Sequence, residues 1–228
     1  MQAVLLMAGK GSRMAKDYEG PKQLLEVSGK PILEHILDAL PAEITELVFV
    51  VGGPHEQTIR DHFSAGEYGG RPITFVVQEE QLGLAHAFWT TKEVVKGRFM
   101  GMVSDDLFDP KALEEMLRHD LSVLASHSDH PENFGVFIAD EDNYLVKSVE
   151  KPQEFVSDLI SNGAMVMDER FMNAQVPPSA RGEYETPDVW QHLIDTQGAK
   201  IKIVESGFWL PINDKEQLDE AARILAEQ

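Results

Sequence analysis

The sequence predicts an α/β protein with a doubly wound, mainly parallel sheet and helices on both of its faces. Short apolar runs alternate with helical patterns over the first 125 residues, which is typical of strands joined by crossover helices. The runs are rich in Val, Leu and Phe, as expected for strands that are covered on both faces. After about residue 130 the rhythm changes to closely spaced strands, which predicts a smaller β extension of the same sheet.

Each element of the first half has its own signal. The predicted strands are the apolar runs 3–7, 47–51, 73–77, 99–103 and 121–125. Helices are predicted where apolar residues recur on one face, and Pro31, Pro54 and Pro110 mark three of their starts. The predicted helices cover residues 32–40, 54–63, 83–95 and 110–119. Ligands of a doubly wound sheet bind at the carboxyl ends of its strands.

The second half is predicted to open with a hairpin. Its two strands, 134–139 and 144–149, are joined by the turn sequence DEDN. The elements predicted after it are a strand at 164–167, a helix at 187–196, a strand at 201–204 and a closing helix at 214–226.

Composition excludes several classes of protein. The 228 residues, 43% hydrophobic and 26% charged, suit one globular domain, and the absence of cysteine excludes disulfides and thiolate chemistry. A net charge of −19 argues against a nucleic-acid partner. No apolar run approaches the roughly 18 residues of a membrane span and no leader pattern opens the chain, so we expect a cytoplasmic protein without a membrane partner.

A glycine-rich loop, in the stretch LLMAGKGSRM, follows the first predicted strand. It lacks the spacing of a P-loop, and Met14 stands where a dinucleotide fingerprint needs its third glycine. Glycines let backbone N–H groups approach a phosphate, and Arg13 and Lys22 add positive charge. Residues 1–30 carry five basic and three acidic residues, a net charge of +2 that suits an anion, although chance variation explains it equally well until other motifs are weighed.

Six segments, in order along nearly the whole chain, resemble the sugar-1-phosphate nucleotidylyltransferases. They are LLMAGKGSRM…PKQLL with GKPILEH, QEEQLGLAHAF, VSDDLF, NFGVF, VEKP, and GEYETPD with GFWLPINDKEQL. In that family the first segment holds a nucleoside triphosphate, the second reads base and ribose, the third binds metal, and the later ones form the sugar site.

The resemblance implies one Rossmann-like domain, residues 1–228, with a nucleotide-binding part at 1–130 and a sugar-phosphate-binding part at 131–228. It implies transfer of a nucleotidyl group from an NTP to a sugar-1-phosphate, with release of pyrophosphate and with Mg²⁺ as cofactor. The segments look most like those of the UTP:glucose-1-phosphate uridylyltransferases. A homo-oligomer is compatible with the sequence.

The resemblance also assigns roles to individual residues. The catalytic residues would be Arg13, Lys22 and Lys151. The nucleotide-binding residues would be Leu6, Ala8, Gly9, Gly11, Ser12, Gln78 and Gly83. The sugar-binding residues would be Gly135, Glu150, Asn162 and Glu183. Among these, Gln78 offers both an amide donor and an acceptor, which reading a pyrimidine edge requires.

The resemblance places the metal on Asp105, which follows the predicted strand 99–103. Mg²⁺ takes few protein carboxylates and completes its shell with phosphate oxygens and water. The alternative role for the aspartates before Pro110 is to cap the helix that begins there. This role suits Asp106 and Asp109 better than Asp105.

The second metal position departs from the family pattern. Many members have aspartate where this chain has Pro211, which offers no side-chain ligand. Asn213 resembles the asparagine of some N-acetylglucosamine-1-phosphate members, and capping of the last helix is its alternative role.

Two further functions stay open. One is an enzyme specific for dTTP or for an N-acetylhexosamine-1-phosphate, which Asn213 favours. The other is a non-catalytic nucleotide-sugar sensor, which Pro211 favours. Retention of Arg13, Lys22 and Lys151 argues against the sensor, because a binding module has no need of these phosphate-facing charges together with a metal carboxylate.

Overall fold

The computed structural model describes residues 1–9, 18 and 20–226, and ten of the strands in this part of the chain form one sheet. The strands are β1 (Gln2–Leu6), β2 (Glu26–Val27), β3 (Lys30–Pro31), β4 (Glu46–Val51), β5 (Glu67–Tyr68), β6 (Arg71–Val77), β7 (Phe99–Val103), β8 (Asp106–Phe108), β9 (Ser122–His127), β10 (Gly135–Ala139), β11 (Leu145–Glu150), β12 (Leu159–Met167), β13 (Lys202–Glu205) and β14 (Trp209–Pro211). The helices are α1 (Ile32–Ala39), α2 (Glu56–His62), α3 (Leu84–Trp89), α4 (Pro110–Met116), α5 (Glu169–Asn173), α6 (Thr186–Gln197) and α7 (Lys215–Ala226).

Four parallel strands form the centre of the sheet, in the order β7-β1-β4-β6. Strand β12 runs antiparallel between β7 and β9, and β13 pairs with β9 in parallel. The β10–β11 hairpin lies beside the first residues of β12. The predicted doubly wound, mainly parallel sheet is confirmed, and the antiparallel strands all belong to its second half or to the edge strand β5.

Helices cover both faces of the sheet, as predicted. Alternate residues of β1 show the division: Ala3 and Leu5 pack with α1, α2, α4 and α7, while Val4 and Leu6 pack with α3, α5 and α6. Both cores are apolar and fully buried, which explains why the central strands are continuous apolar runs. Across the described residues, every helix falls short of the length and apolarity that crossing a bilayer requires.

Helix α3 is shorter than the predicted helix 83–95, because it ends at Trp89. The hydroxyl groups of Thr90 and Thr91 donate to the carbonyl oxygens of Ala87 and Phe88, each at 2.7 Å. Such bonds compete with the helical hydrogen bonds, so the chain continues as turns.

Other differences concern the start of one strand and several elements too short to have a periodic pattern. Strand β12 begins at Leu159, five residues before its predicted start. Strands β8 and β14, which pair antiparallel, and helix α5 were not predicted, since three to five residues carry no recognisable hydrophobic period.

Replacement of Phe49 by alanine tests the core on the sheet face that includes Ala3 and Leu5. Its ring is fully buried and meets Phe63 and Phe75 edge to face, at centroid distances of 5.1 and 5.7 Å. We expect Phe49→Ala to lower the free energy of unfolding by about 3–5 kcal/mol in a urea titration. The control Phe155→Ala, at a site 78% exposed, should change it by no more than about 0.5 kcal/mol. Equal effects of the two would contradict the assignment of this core.

Candidate functional site

The carboxyl ends of the four central strands meet at one edge of the sheet. Backbone and side chains join these ends: the Met7 amide donates to Val50 O at 2.7 Å, and the Ser104 hydroxyl donates to Leu6 O at 2.5 Å. Gln78 follows β6 directly, and its backbone N–H donates to Val51 O at 2.8 Å. The edge therefore gathers residues from four separate segments, as expected for a doubly wound sheet.

A cavity of about 290 Å³ opens at this edge, and we call it the strand-end cavity. Its walls are Leu6, Ala8, Gly9, Gln23, Gln78, Gln81, Gly83, Leu84, Ala87, Val103, Asp105 and Glu183. It brings together the predicted nucleotide-binding residues that the structure describes. Gly11, Ser12 and Arg13 lie outside the described residues.

An ion pair marks one side of the strand-end cavity. Lys22 Nζ lies 2.7 Å from Asp105 Oδ2, and the lysine side chain is only 9% exposed, whereas that of Asp105 is 35% exposed. Lys22 lies in the 3₁₀ turn Lys22–Leu24, after the glycine-rich stretch. The pair places one positive and one negative charge together at the carboxyl end of β7.

Gly83 closes the opposite wall by a close backbone contact. Its φ of +103° is one that residues with a side chain rarely adopt, and an added Cβ would lie 2.5 Å from the Tyr184 carbonyl oxygen. The Tyr184 amide donates to Leu82 O at 2.7 Å, and its carbonyl accepts from the Ala85 amide at 3.0 Å. Glycine is therefore required for this loop to pack against the segment before α6.

A second cavity of about 280 Å³, the hairpin cavity, opens beside β10 and β11. Its walls include Asn133, Phe134, Gly135, Glu150, Lys151, Ser161, Asn162, Thr186, Pro187, Trp209, Pro211 and Asn213. Leu84, Val103 and Asp105 line both cavities. Asp105 is therefore the charged residue common to the two walls.

Glu150 and Lys151, on the wall of the hairpin cavity, belong to a cluster of carboxylates and basic side chains. Glu150 Oε1 lies 3.7 Å from Lys151 Nζ and 3.1 Å from Arg181 Nη2, and Arg181 also donates to the buried Glu185 at 2.5 Å. Burial raises the pKa of Glu150, and the charge of Glu185 raises it further, while Lys151 and Arg181 act in the opposite direction.

Lys151 has a strained backbone. Its φ is +43°, an uncommon value for a residue with a side chain, and its amide donates to Phe134 O at 2.9 Å. Such conformations persist where the surroundings hold them, often at functional sites. Here the conformation turns the chain at the end of β11, where the Lys151 side chain faces the hairpin cavity.

Asn162 offers a buried acceptor at the wall of the hairpin cavity. Its Nδ2 donates to Ser126 Oγ at 2.8 Å, and its Oδ1 has no hydrogen-bond partner among the described residues. A buried acceptor of this kind is stabilised by a ligand that donates to it.

Asp105 and Asn213, the two candidate oxygen ligands for a cation, both line the hairpin cavity, next to Asp106. Asp106, in β8, pairs with Pro211, in β14, and its Oδ2 accepts from Trp209 Nε1 at 3.2 Å. Burial raises the pKa of Asp106 well above its usual range, and the negative charge of Asp105 is the second cause of this rise. Among the described residues no three His, Cys, Asp or Glu side chains gather as a metal-binding set. Carboxylate and amide oxygens nevertheless fit a hard cation that takes its remaining ligands from substrate and water.

The helix-cap alternatives fall on neighbouring residues. Asp109 Oδ1 accepts from the Lys111 amide at 2.9 Å and caps α4. Asp214 Oδ1 accepts from the Gln217 amide at 2.9 Å, at the start of α7. Neither cap uses Asp105 or the side chain of Asn213, and both of these line the hairpin cavity.

Most of the described candidates lie in the cavity expected for them, and one does not. Glu183 was expected in the sugar site, but it lines the strand-end cavity, beside Gly83. Sequence reasoning did not single out His86 or Arg181. His86 lies within the quoted segment QLGLAHAF, which could have marked it, whereas Arg181 lies in a turn before α6, where no spacing rule would single it out.

A family model described as nucleotidyl transferase matches residues 2–228. The bifunctional protein GlmU of Methanococcus vannielii is 36% identical over 219 residues, which cover 92% of this chain and 51% of that protein. The chain thus spans about half the length of this relative. The UTP–glucose-1-phosphate uridylyltransferase AglF of Haloferax volcanii is 35% identical, with 100% of this chain and 98% of AglF covered.

Solved structures share the fold. A Bacillus anthracis protein, provisionally named a glucose-1-phosphate thymidylyltransferase, superposes with a TM-score of 0.84 at 26% identity. The match covers 100% of this chain and 96% of that one.

Replacement of Gly135 by alanine tests the packing of the hairpin cavity. An added Cβ would lie 3.0 Å from Pro187 Cγ and 3.2 Å from Glu150 Oε2. We expect Gly135→Ala to lower the free energy of unfolding by about 1–3 kcal/mol, measured by urea titration, because the proline ring is rigid. Gly9→Ala is the control, since its Cβ would meet no described atom within 4 Å and no loss is expected. An unchanged stability of Gly135→Ala would contradict this packing.

Proposed function

Since the chain belongs to the nucleotidyl transferase family, we propose that it transfers a uridylyl group from UTP to glucose-1-phosphate, forming a nucleotide sugar and pyrophosphate. The observation that carries the proposal is that two adjoining cavities share Asp105, that Lys22 is paired with this aspartate, and that Lys151 lines the hairpin cavity. A reaction between two phosphorylated substrates needs this arrangement, because both polyanions must be brought to one point. The likeness to AglF over its whole length supports the choice of UTP and glucose-1-phosphate.

The chemistry requires no general base. An oxygen of the sugar phosphate attacks the α-phosphorus of the nucleotide, the new P–O bond forms, and the bond to the β-phosphate breaks with its electron pair on pyrophosphate. The second pKa of a phosphate monoester is about 6, so the attacking oxygen is already ionised at neutral pH. Positioning and charge compensation are therefore what the protein has to supply.

The positive side chains carry the charge compensation. We assign Lys22, which reaches the strand-end cavity through its contact with Asp105, to the triphosphate, and Lys151, on the wall of the hairpin cavity, to the sugar phosphate. We assign the glycine-rich loop and Arg13 to the triphosphate on the basis of the sequence. These groups supply positive charge at the site within a chain of net charge −19.

Glu150 and Asn162 are the groups that recognise the sugar. Glu150 is held by Arg181, and as an acceptor it suits the hydroxyl groups of a hexose. Oδ1 of Asn162, which has no partner among the described residues, would accept a further hydroxyl.

Asp105 and Asn213 would hold Mg²⁺, with the remaining ligands from phosphate and water, and the bound cation would neutralise charge on the phosphates. Pro211, which has no ligating side chain, lies at the position of the missing aspartate. We therefore expect the protein itself to contribute few ligands.

Asn213 favours a second candidate, an enzyme for an N-acetylhexosamine-1-phosphate, since its side chain lines the hairpin cavity. The name of the Bacillus anthracis protein favours dTTP as the nucleotide. The difference between uracil and thymine is one methyl group, worth about 1–3 kcal/mol in a pocket.

Pyrophosphate release in a substrate grid tests the proposal. We expect the highest rate with UTP and glucose-1-phosphate when UTP, dTTP, CTP, ATP and GTP are each combined with glucose-1-phosphate or N-acetylglucosamine-1-phosphate, with Mg²⁺. A faster reaction in another cell of the grid would assign that substrate pair instead. No release in any cell, with UTP still bound, would establish the sensor and make Pro211→Asp the first variant to examine.

Replacement of Lys22 tests the charge compensation. We expect Lys22→Met to lower kcat about 100-fold or more, because a charge beside the transferring group is lost. Lys30→Met is the matched control: this lysine is 40% exposed, pairs with Asp38 and should leave kcat unchanged. Thermal melts establish that both variants fold, and a folded Lys22→Met protein with the wild-type rate would overturn the mechanism.

A further inference from the structure

The side-chain amide of Gln78 is held in one orientation. It is 4% exposed, and its Nε2 lies 3.4 Å from Gly83 O and 3.1 Å from His86 Nδ1. A backbone carbonyl can only accept, so the group facing Gly83 must be the NH₂.

The same argument determines the proton on His86. Because the Gln78 NH₂ also faces Nδ1, that nitrogen must accept, and the proton of the neutral ring resides on Nε2. Both N–H groups of the amide are then used inside the protein. In the side-chain amide, judged by its contacts with the described part of the chain, Oε1 remains for a ligand, and it is an acceptor.

His86 is itself held in place. It lies in α3, and its ring stacks on Tyr184 with the centroids 6.2 Å apart and the planes inclined by 25°. Tyr184 is in turn bound through its backbone to Leu82 and Ala85, on either side of Gly83. One packed unit therefore carries both acceptors that orient the amide.

We propose that His86 is a positioning residue that determines which pyrimidine the enzyme accepts, an inference that rests on the proposed function and on Gln78 facing the base. With Oε1 directed to the ligand, a base with an N–H at position 3 finds an acceptor. Uracil and thymine have this N–H, whereas N3 of cytosine is an acceptor and would face a second acceptor. His86 thus favours UTP or dTTP over CTP without touching the base.

Replacement of His86 should act on the choice of base. In His86→Ala the Gln78 amide loses one of its two fixed acceptors and can rotate to present its NH₂. We expect the ratio of kcat/KM for UTP to that for CTP to fall about tenfold, which corresponds to one lost orienting hydrogen bond of roughly 1.4 kcal/mol. His86→Gln, whose side-chain oxygen can accept from Gln78, should restore much of the ratio.

A double-mutant cycle separates positioning from structure. If His86 acts through Gln78, His86→Ala should leave the UTP:CTP ratio unchanged when Gln78 is already alanine. Equal losses with UTP and CTP in His86→Ala would assign His86 a structural role only and overturn the proposal, as would a wild-type preference for CTP.

Equilibrium binding keeps the two proposals distinguishable. Titration calorimetry with UTP and with CTP measures the choice of base without turnover, so it can be done on wild-type, His86→Ala and His86→Gln proteins even if the substrate grid shows no release. If the substrate grid shows no release but wild-type protein binds UTP more tightly than CTP and His86→Ala does not, the inference about His86 is supported and the proposed reaction is not. No preference in the wild type would overturn it.

Discussion

The ion pair between Lys22 and Asp105 is the contact around which the site is organised. A lysine with 9% of its side chain exposed would be unstable as a charge without a partner, and Asp105 provides that partner. The contact ties the segment after the glycine-rich loop to the end of β7, 83 residues further along the chain. Asp105 stays one-third exposed at the wall shared by both cavities, so under the proposed function this contact sets where the two phosphorylated substrates would meet.

Close backbone approach gives each cavity its shape. Gly83 lets the loop before α3 contact Tyr184, and Gly135 lets β10 contact Pro187 and Glu150. A Cβ at Gly83 would collide with the Tyr184 backbone, and one at Gly135 would press against Pro187 and Glu150. The walls are thus built from neighbouring segments in direct contact, and such walls keep polar groups at defined positions.

Recognition in this site combines charge with fixed dipoles. In the proposed function, lysines supply full charges to the phosphates, and in the further inference the orientation of the Gln78 side-chain amide supplies the selectivity for the base. Arg181 contacts three carboxylates beside the site, those of Glu150, Glu183 and Glu185, and its positive charge offsets part of their negative charge.

The sequence by itself determined the alternation of strands and helices, the apolar faces of the core and the position of Asp105 at a strand end, because these depend on neighbouring residues. Only the tertiary structure decided that Asp105 lines two cavities, that Glu183 lies beside Gly83, and that Asp106 pairs with Pro211. These contacts join segments about a hundred residues apart, such as Asp106 and Trp209, which are separated by 103 positions. No local pattern encodes such a pairing, since it follows from how the whole sheet is wound, and the roles assigned to the site residues stay predictions.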